Sequence, residues 1–301
     1  MAFLKSKQRY YLEAALKKYF SVCNIKLDCA PLSGGDIHNS FELNLTGDSL
    51  LPSKLFGKFN SSLEVDVLKT EFESLSIIND LLPDLYPRAL LFDHFQGEGL
   101  LVMRFHRLVP LDDSSAADAG RALAKQHEKS NSEFGWVSDN YIGITPQLNG
   151  WNSNWVEFFR EQRLLPMFEK VKSKGLSEIN ELRVSHVISR LGEILPHEVS
   201  PSLVHGDLWS GNLGLDLDTL EPIFYDPAPY YGDREVDIAM TELFGRQPDS
   251  FYHAYEKVWP LEIGYESRRA TYNLYHALNH VALFGATYEG LVDRCLNQIA
   301  L

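Results

Sequence analysis

The run Leu203-Val204-His205-Gly206-Asp207-Leu208-Trp209-Ser210-Gly211-Asn212 sets the frame for the rest of the chain. Its apolar start reads as a short buried strand. The strand delivers Asp207 into a segment rich in turn formers, and Asn212 closes that segment. Leu213–Leu217 and Ile223–Tyr225 then read as a short hairpin, which returns the chain to Phe224-Tyr225-Asp226-Pro227. A carboxylate, a carboxamide and a second carboxylate therefore arrive in order from a strand, a turn and a hairpin. Singly, each piece is ordinary, because Asp, Gly and Asn are turn residues. Together, in this order, they ask for a chemical reason.

Outward from this run, helical spacing dominates the second two-thirds of the chain. It predicts helices near Ser114–Lys129, Trp155–Lys170, Ile179–Leu195, Glu235–Phe244, Ser250–Trp259, Ser267–Phe284 and Tyr288–Leu301. Asn131–Gly150 lacks periodicity. A loop of that length is either functional or a rigid loop packed by its own aromatics. Nearer the start, a helix over Ser6–Phe20 precedes strand-like pieces at Asn24–Ala30, Ser40–Leu45 and Lys54–Phe59. A second helix over Ser61–Leu82 opens with a capping box, Ser61-Ser62-Leu63-Glu64, and buries Leu68, Phe72, Leu75 and Ile78. Strands at Ala89–Phe92 and Leu100–Phe105 follow. The order predicts an α+β fold of two lobes. Residues 1–104 form a small lobe, an antiparallel sheet with one main helix. Residues 105–301 form a larger, mainly helical lobe, and Met103–Val109 connects the two.

Composition narrows the class. The chain has 301 residues, 45% of them hydrophobic, which suffices for a sizeable core and favours two lobes over one. Lys and Arg total 28 against 41 Asp and Glu, a net charge of −13. No basic patch stands out, which argues against a nucleic-acid partner. A phosphate ligand is compatible with the acidic balance, because it needs only a few local cations and backbone amides. Three cysteines, Cys23, Cys29 and Cys295, make no disulfide framework. Met1–Tyr11 has no apolar signal core, and no apolar run approaches the roughly 20 residues that span a bilayer. These readings predict a cytoplasmic protein with no membrane partner.

Phosphoryl transfer supplies the chemical reason. It needs a carboxylate within reach of the attacking hydroxyl, and Asp207 fits as base or orienting group. Mg²⁺ takes hard oxygen ligands, and the amide oxygen of Asn212 and the carboxylate of Asp226 supply two. Such a metal offsets phosphate charge in the transition state. The spacing is that of a kinase catalytic loop followed by a metal-binding Asp.

HGDLWSGN resembles the signature of the fructosamine (ketosamine) kinases, a family related to the aminoglycoside phosphotransferases through their HGD loop. Phe224-Tyr225-Asp226-Pro227-Ala228, Tyr231-Gly232-Asp233-Arg234-Glu235-Val236-Asp237 and Thr241-Glu242-Leu243-Phe244-Gly245 resemble the segment that follows it. Phe134-Gly135, Asp139-Asn140-Tyr141-Ile142-Gly143 and Trp155-Val156-Glu157-Phe158-Phe159 resemble the family's middle, and the likeness runs from about Pro31 to Gly290.

The resemblance implies the two-lobed protein-kinase-like fold, with ATP and Mg²⁺ as cofactors. It implies that Lys58 pairs with the α/β-phosphates and that Glu71 holds that lysine, with Glu73 as a competing partner. Ser33-Gly34-Gly35-Asp36 would cover the phosphates through backbone amides. Met103 and Phe105 would complete the nucleotide site. The redox-sensitive Cys of some members is absent, since Pro31–Phe41 contains none. Trp209 is either a wall of the sugar pocket or a packing tryptophan. Asp233 and Arg234 face the substrate or pair with each other. Asp237 anchors the backbone of the catalytic loop, and His205 supports it by hydrogen bonding. His276 and His280, one turn apart, read as helix packing, because an H-E-x-x-H glutamate and a third zinc ligand are lacking.

The implied activity is ATP-dependent phosphorylation of a fructosamine or ribulosamine at O3, free or on a protein lysine, leading to deglycation. Two rivals stand beside it. One is a kinase for another hydroxyl compound such as an aminoglycoside or choline, to be separated by a substrate panel. The other is a non-catalytic kinase-like binding protein, which the complete residue set disfavours.

Overall fold

A computed structural model describes residues 4–32, 39–49, 51–60, 65–172 and 174–299. The chain divides into two compact units. The first comprises Met1–Val109 with Leu215–Tyr225, and the second Pro110–Gly214 with Asp226–Leu301. The fold is α+β, as the sequence predicts.

The first unit is built on an antiparallel sheet. Among the described residues it has five strands, β1 (Ile25–Pro31), β2 (Asn39–Gly47), β3 (Lys54–Asn60), β4 (Ala89–Phe95) and β5 (Glu98–Arg104), in spatial order β1-β2-β3-β5-β4. Helix α1 (Ser6–Phe20) covers one face. Its Leu12 and Leu16 join Leu27, Leu43, Leu55, Phe59 and Val102 in a continuous core. Side chains alternate along a strand. Leu55 and Phe59 therefore point to α1, and Lys58 points to the other face. Helix α2 (Val65–Leu81) follows β3 and buries Val67, Leu68, Leu75 and Ile78. The capping box expected at Ser61–Glu64 lies outside the described residues. The hairpin Leu213–Asp216/Pro222–Phe224 adds its first strand to Leu108–Val109. Sequence order alone could not place Leu215–Tyr225 with the first unit, because that grouping depends on tertiary pairing.

The second unit is mainly helical. It contains α3 (Asp113–His127), α4 (Trp155–Phe159), α5 (Leu165–Lys172), α6 (Glu178–Ser189), α7 (Leu191–Ile194), α8 (Glu235–Thr241), α9 (Asp249–Val258), α10 (Tyr265–Phe284) and α11 (Glu289–Gln298). The single helix expected over Trp155–Lys170 is interrupted by a π-helical turn at Arg160–Leu164. The segment Asn131–Gly150 contains a short hairpin, Asn140–Ile142 with Thr145–Gln147. Three-residue strands are too short to show alternation, which is why the pattern missed them. The segment is tied down by polar side chains. Asn140 donates to Pro229 O, Gln147 to Ala228 O, and Tyr275 Oη to Gln147 Oε1.

The strand Ser202–Val204 pairs antiparallel with Tyr230–Gly232, and Val204 is opposite Tyr230. This pairing fixes the point where the chain leaves the strand for His205, Gly206 and Asp207.

Candidate active site

Asp237 holds the backbone ahead of Asp207. It sits in the first turn of α8 and is fully buried. Its Oδ2 accepts from His205 N at 2.6 Å, and its Oδ1 from Gly206 N at 2.9 Å. His127 Nε2 lies 3.1 Å from Oδ2. Burial alone would raise the Asp237 pKa, but the hydrogen bond and charge of His127 hold it below the usual carboxylate value. The support continues outward. Tyr255 Oη lies 2.8 Å from His127 Nδ1, and Arg234 Nη1 donates to Tyr255 Oη at 3.0 Å.

Gly206 is required where it stands. Its φ is +82°, and a Cβ there would lie 2.0 Å from Ala228 O. His205 Nδ1 accepts from Asp207 N at 3.2 Å, the supporting hydrogen bond expected of it.

Asp207 itself is mostly enclosed, with 20% of its side-chain surface exposed. Burial pushes its pKa well above the ordinary value, and the negative charges of Asp226 and Asp237 push it further. Asn212 donates Nδ2 to Asp207 O at 2.8 Å, and the same nitrogen lies 3.4 Å from Asp207 Oδ2. The nitrogen end of the amide is thereby committed to Asp207, and its oxygen is the end suited to a cation. Asp226 adopts φ +54°, a left-handed conformation uncommon for a non-glycine residue and concentrated at functional positions. An amide oxygen and a carboxylate are hard donors that fit Mg²⁺.

His276 is a residue that sequence reasoning assigned to helix packing. It is 4% exposed, and its Nδ1 lies 4.0 Å from Asp207 Oδ1. Burial, with His280 adding to it, lowers its pKa to about 3, so the ring is neutral at physiological pH. No local sequence signal announces this proximity, which arises from the packing of α10.

Trp209 is 38% exposed and meets Phe244 edge-on, with ring centroids 6.3 Å apart. A Cβ on Gly211 would collide with the Trp209 ring at 2.2 Å, so this glycine lets the indole lie back over the loop. Asp233 and Arg234 do not pair with each other. Asp233 Oδ2 accepts from His197 at 2.7 Å and from Tyr272 Oη. Arg234 donates to Tyr255 Oη, Trp259 O and Pro260 O. Both are buried, and their hydrogen bonds belong to the framework of the second unit.

In the first unit, Lys58 Nζ and Glu71 Oε1 form an ion pair at 2.7 Å, with side chains 4% and 10% exposed. Glu73, the competing carboxylate, instead faces Lys69 at 3.8 Å on the exposed side of α2. Met103 is buried on β5 opposite Phe56, and Phe105 lies under Lys54, whose Nζ is 5.3 Å from the ring centroid. Gly34 and Gly35 lie outside the described residues.

Comparisons with known proteins agree on one family. The sequence profile of the fructosamine kinases matches residues 7–301. A protein of Vibrio parahaemolyticus named probable ketoamine kinase is 38% identical over 270 residues, covering 89% of this chain and 91% of its own. A protein of the same name from Synechocystis is 38% identical over 269 residues, covering 89% and 88%. Among solved structures, one from Haemophilus somnus 129PT named putative fructosamine-3-kinase aligns with a TM-score of 0.84 at 26% identity, covering 96% of this chain and 97% of its own. The aminoglycoside phosphotransferase APH(4)-Ia aligns with a TM-score of 0.64 at 15% identity, covering 97% and 100%, which shows the shared kinase-like fold.

Proposed function

This chain belongs to the fructosamine kinase family, and we propose that it phosphorylates the C3 hydroxyl of a fructosamine or ribulosamine, free or on a protein lysine, to begin deglycation. The enzyme is an ATP-dependent phosphotransferase with an alcohol group as acceptor, and its acceptors are sugar-amines. What supports activation of a hydroxyl acceptor is the pair of hydrogen bonds that Asp237 accepts from the two backbone amides ahead of Asp207, while the choice of C3 on a ketosamine rests on the family. It fixes a carboxylate of raised basicity at the end of a strand, as a general base requires.

In this reading Asp207 orients the acceptor hydroxyl and takes its proton. Lys58, held by Glu71, pairs with the α/β-phosphates, and Gly34 and Gly35 offer amides to them. Met103 and Phe105 flank the nucleotide. Asn212 and Asp226 would hold Mg²⁺, which when bound offsets negative charge on the phosphates. Trp209, exposed beside the loop, offers a flat face to the sugar ring. A phosphate at C3 leaves more readily than hydroxide, so the product decomposes and frees its amine.

The test is Mg²⁺-dependent ATP consumption with fructosyl-lysine and ribulosyl-lysine beside aminoglycosides and choline. Selective turnover of the ketosamines is expected. Turnover confined to an aminoglycoside or choline would discard the deglycation role.

A further inference from the structure

Among the described residues, none hydrogen-bonds to His276 Nδ1, which is enclosed. Leaving a buried polar atom unpaired costs about 1–3 kcal/mol. Among the described residues the carboxylate that approaches this nitrogen is that of Asp207, whose Oδ1 lies 4.0 Å away, too far for a direct bond. A single oxygen placed about 2.8 Å from each atom would span that gap with ordinary hydrogen bonds. The opposite side of the Asp207 carboxylate faces Asn212, so Oδ1 is the oxygen directed at this space. The neutral imidazole carries one N–H, and with that proton on Nδ1 it is a donor into the gap.

We propose that His276 is a second catalytic contact. Its Nδ1–H donates to the oxygen of the acceptor hydroxyl while that hydroxyl donates to Asp207 Oδ1. The inference rests on the phosphotransferase reading above, but it requires only a hydroxyl acceptor and not a ketosamine in particular. In the step, a lone pair of the hydroxyl oxygen forms the new bond to the γ-phosphorus. The bond from that phosphorus to the β,γ-bridging oxygen breaks, with its electron pair leaving on ADP. The hydroxyl proton passes to Asp207 Oδ1. His276 gives up no proton. It fixes the direction of the attacking lone pair and, through one N–H, stabilises the negative charge that builds on the hydroxyl oxygen as its proton moves to Asp207.

The experiment compares wild type with His276→Phe, His276→Ala and His276→Asn, using Mg·ATP and the best acceptor of the panel above. Asn places its amide N–H close to the position of imidazole Nδ1. It should keep turnover within about fivefold of wild type, whereas Phe and Ala should lose about 10–100-fold in kcat. The KM for Mg·ATP should stay unchanged in all three. Should the Phe variant fail to fold, the Ala and Asn pair still decides, with folding checked by the thermal shift on adding Mg·ADP. Equal kcat in Asn and Ala, or an undiminished Ala variant, would overturn the proposal while leaving the functional reading intact. A wild type that phosphorylates no hydroxyl acceptor would overturn both.

Discussion

Asp207 is under two opposed demands. In the proposed reaction it must be ionised to take a proton, yet burial and the charges of Asp226 and Asp237 favour its protonated form. That opposition has a sign that can be measured without substrate. A carboxyl whose folded pKa is raised destabilises the protein above that pKa, where the fold confines the charge. The penalty shrinks as pH falls through the raised value. It vanishes below the ordinary carboxylate pKa, where the group is protonated folded and unfolded alike. Asp207→Asn should therefore raise Tm at pH 7 by about 1–3 °C without nucleotide or metal, with no gain near pH 3. A pH series of melting curves checks it, and an Asn variant less stable than wild type at pH 7 contradicts it. The Lys58–Glu71 pair behaves in the opposite way, because removing one partner takes from the other, inside the protein, an opposite charge 2.7 Å away. Lys58→Met should cost about 3 kcal/mol of stability by denaturant unfolding, and about 100-fold in kcat/KM for Mg·ATP. The two residues differ in how legible they were. Lys58 could be read from the sequence because it lies on a strand and is followed by a carboxylate-bearing helix. The sequence left Glu71 and Glu73 open, since their separation of two positions puts them on different sides of α2, and only packing shows which side is inward. His276 could not be read as a site residue at all, because its meaning comes from a neighbour on a distant segment.

At the scale of elements, the catalytic loop is shaped by what lies beneath it. Gly206 passes so close to Ala228 O that a methyl group cannot fit, and its φ lies in the left-handed region. Gly206→Ala should lower stability by at least about 2 kcal/mol and nearly abolish turnover, because the loop must move to accept it. A variant with wild-type Tm and kcat would show that the loop is softer than its hydrogen bonds imply. The run from Arg234 through Tyr255 and His127 to Asp237 gives a gentler probe. Tyr255→Phe removes one hydroxyl and should cost about 1–2 kcal/mol in denaturant unfolding. Helices with a continuous apolar stripe were readable from spacing, and α1 has the bounds expected of it, Ser6–Phe20. The π-turn at Arg160–Leu164 was not readable. Arg163 within it is fully buried, donates to Leu148 O and Asn149 Oδ1, and stacks over Tyr230 with Cζ 3.9 Å from the ring centroid. An arginine in a helical pattern reads as exposed, and the insertion that turns it inward leaves no trace in periodicity. The segment ending at Gly150 is therefore a packed structure rather than an open loop.

At the scale of the molecule, the sequence supports the α+β class, the succession of strands and helices along the chain and the family, because these rest on patterning and on one motif with long flanking matches. The assignment of Leu215–Tyr225 to the first unit and the hydrogen-bonded framework around Asp233 and Arg234 rest on tertiary contacts, which patterning cannot show. No helix among the described residues is long and apolar enough to cross a membrane. The proposed activity is transfer of phosphate, by the loop bearing Asp207, from ATP to the C3 hydroxyl of a ketosamine. It is tested most directly by phosphorus and proton NMR of a reaction containing ATP, Mg²⁺ and fructosyl-lysine, run with wild type and with Asp207→Asn. The wild-type reaction should yield a phosphomonoester coupled to the proton on C3, decaying with release of lysine, and the variant none. A phosphomonoester on another carbon, equal product from both proteins, or consumption of ATP without any sugar phosphate would contradict it.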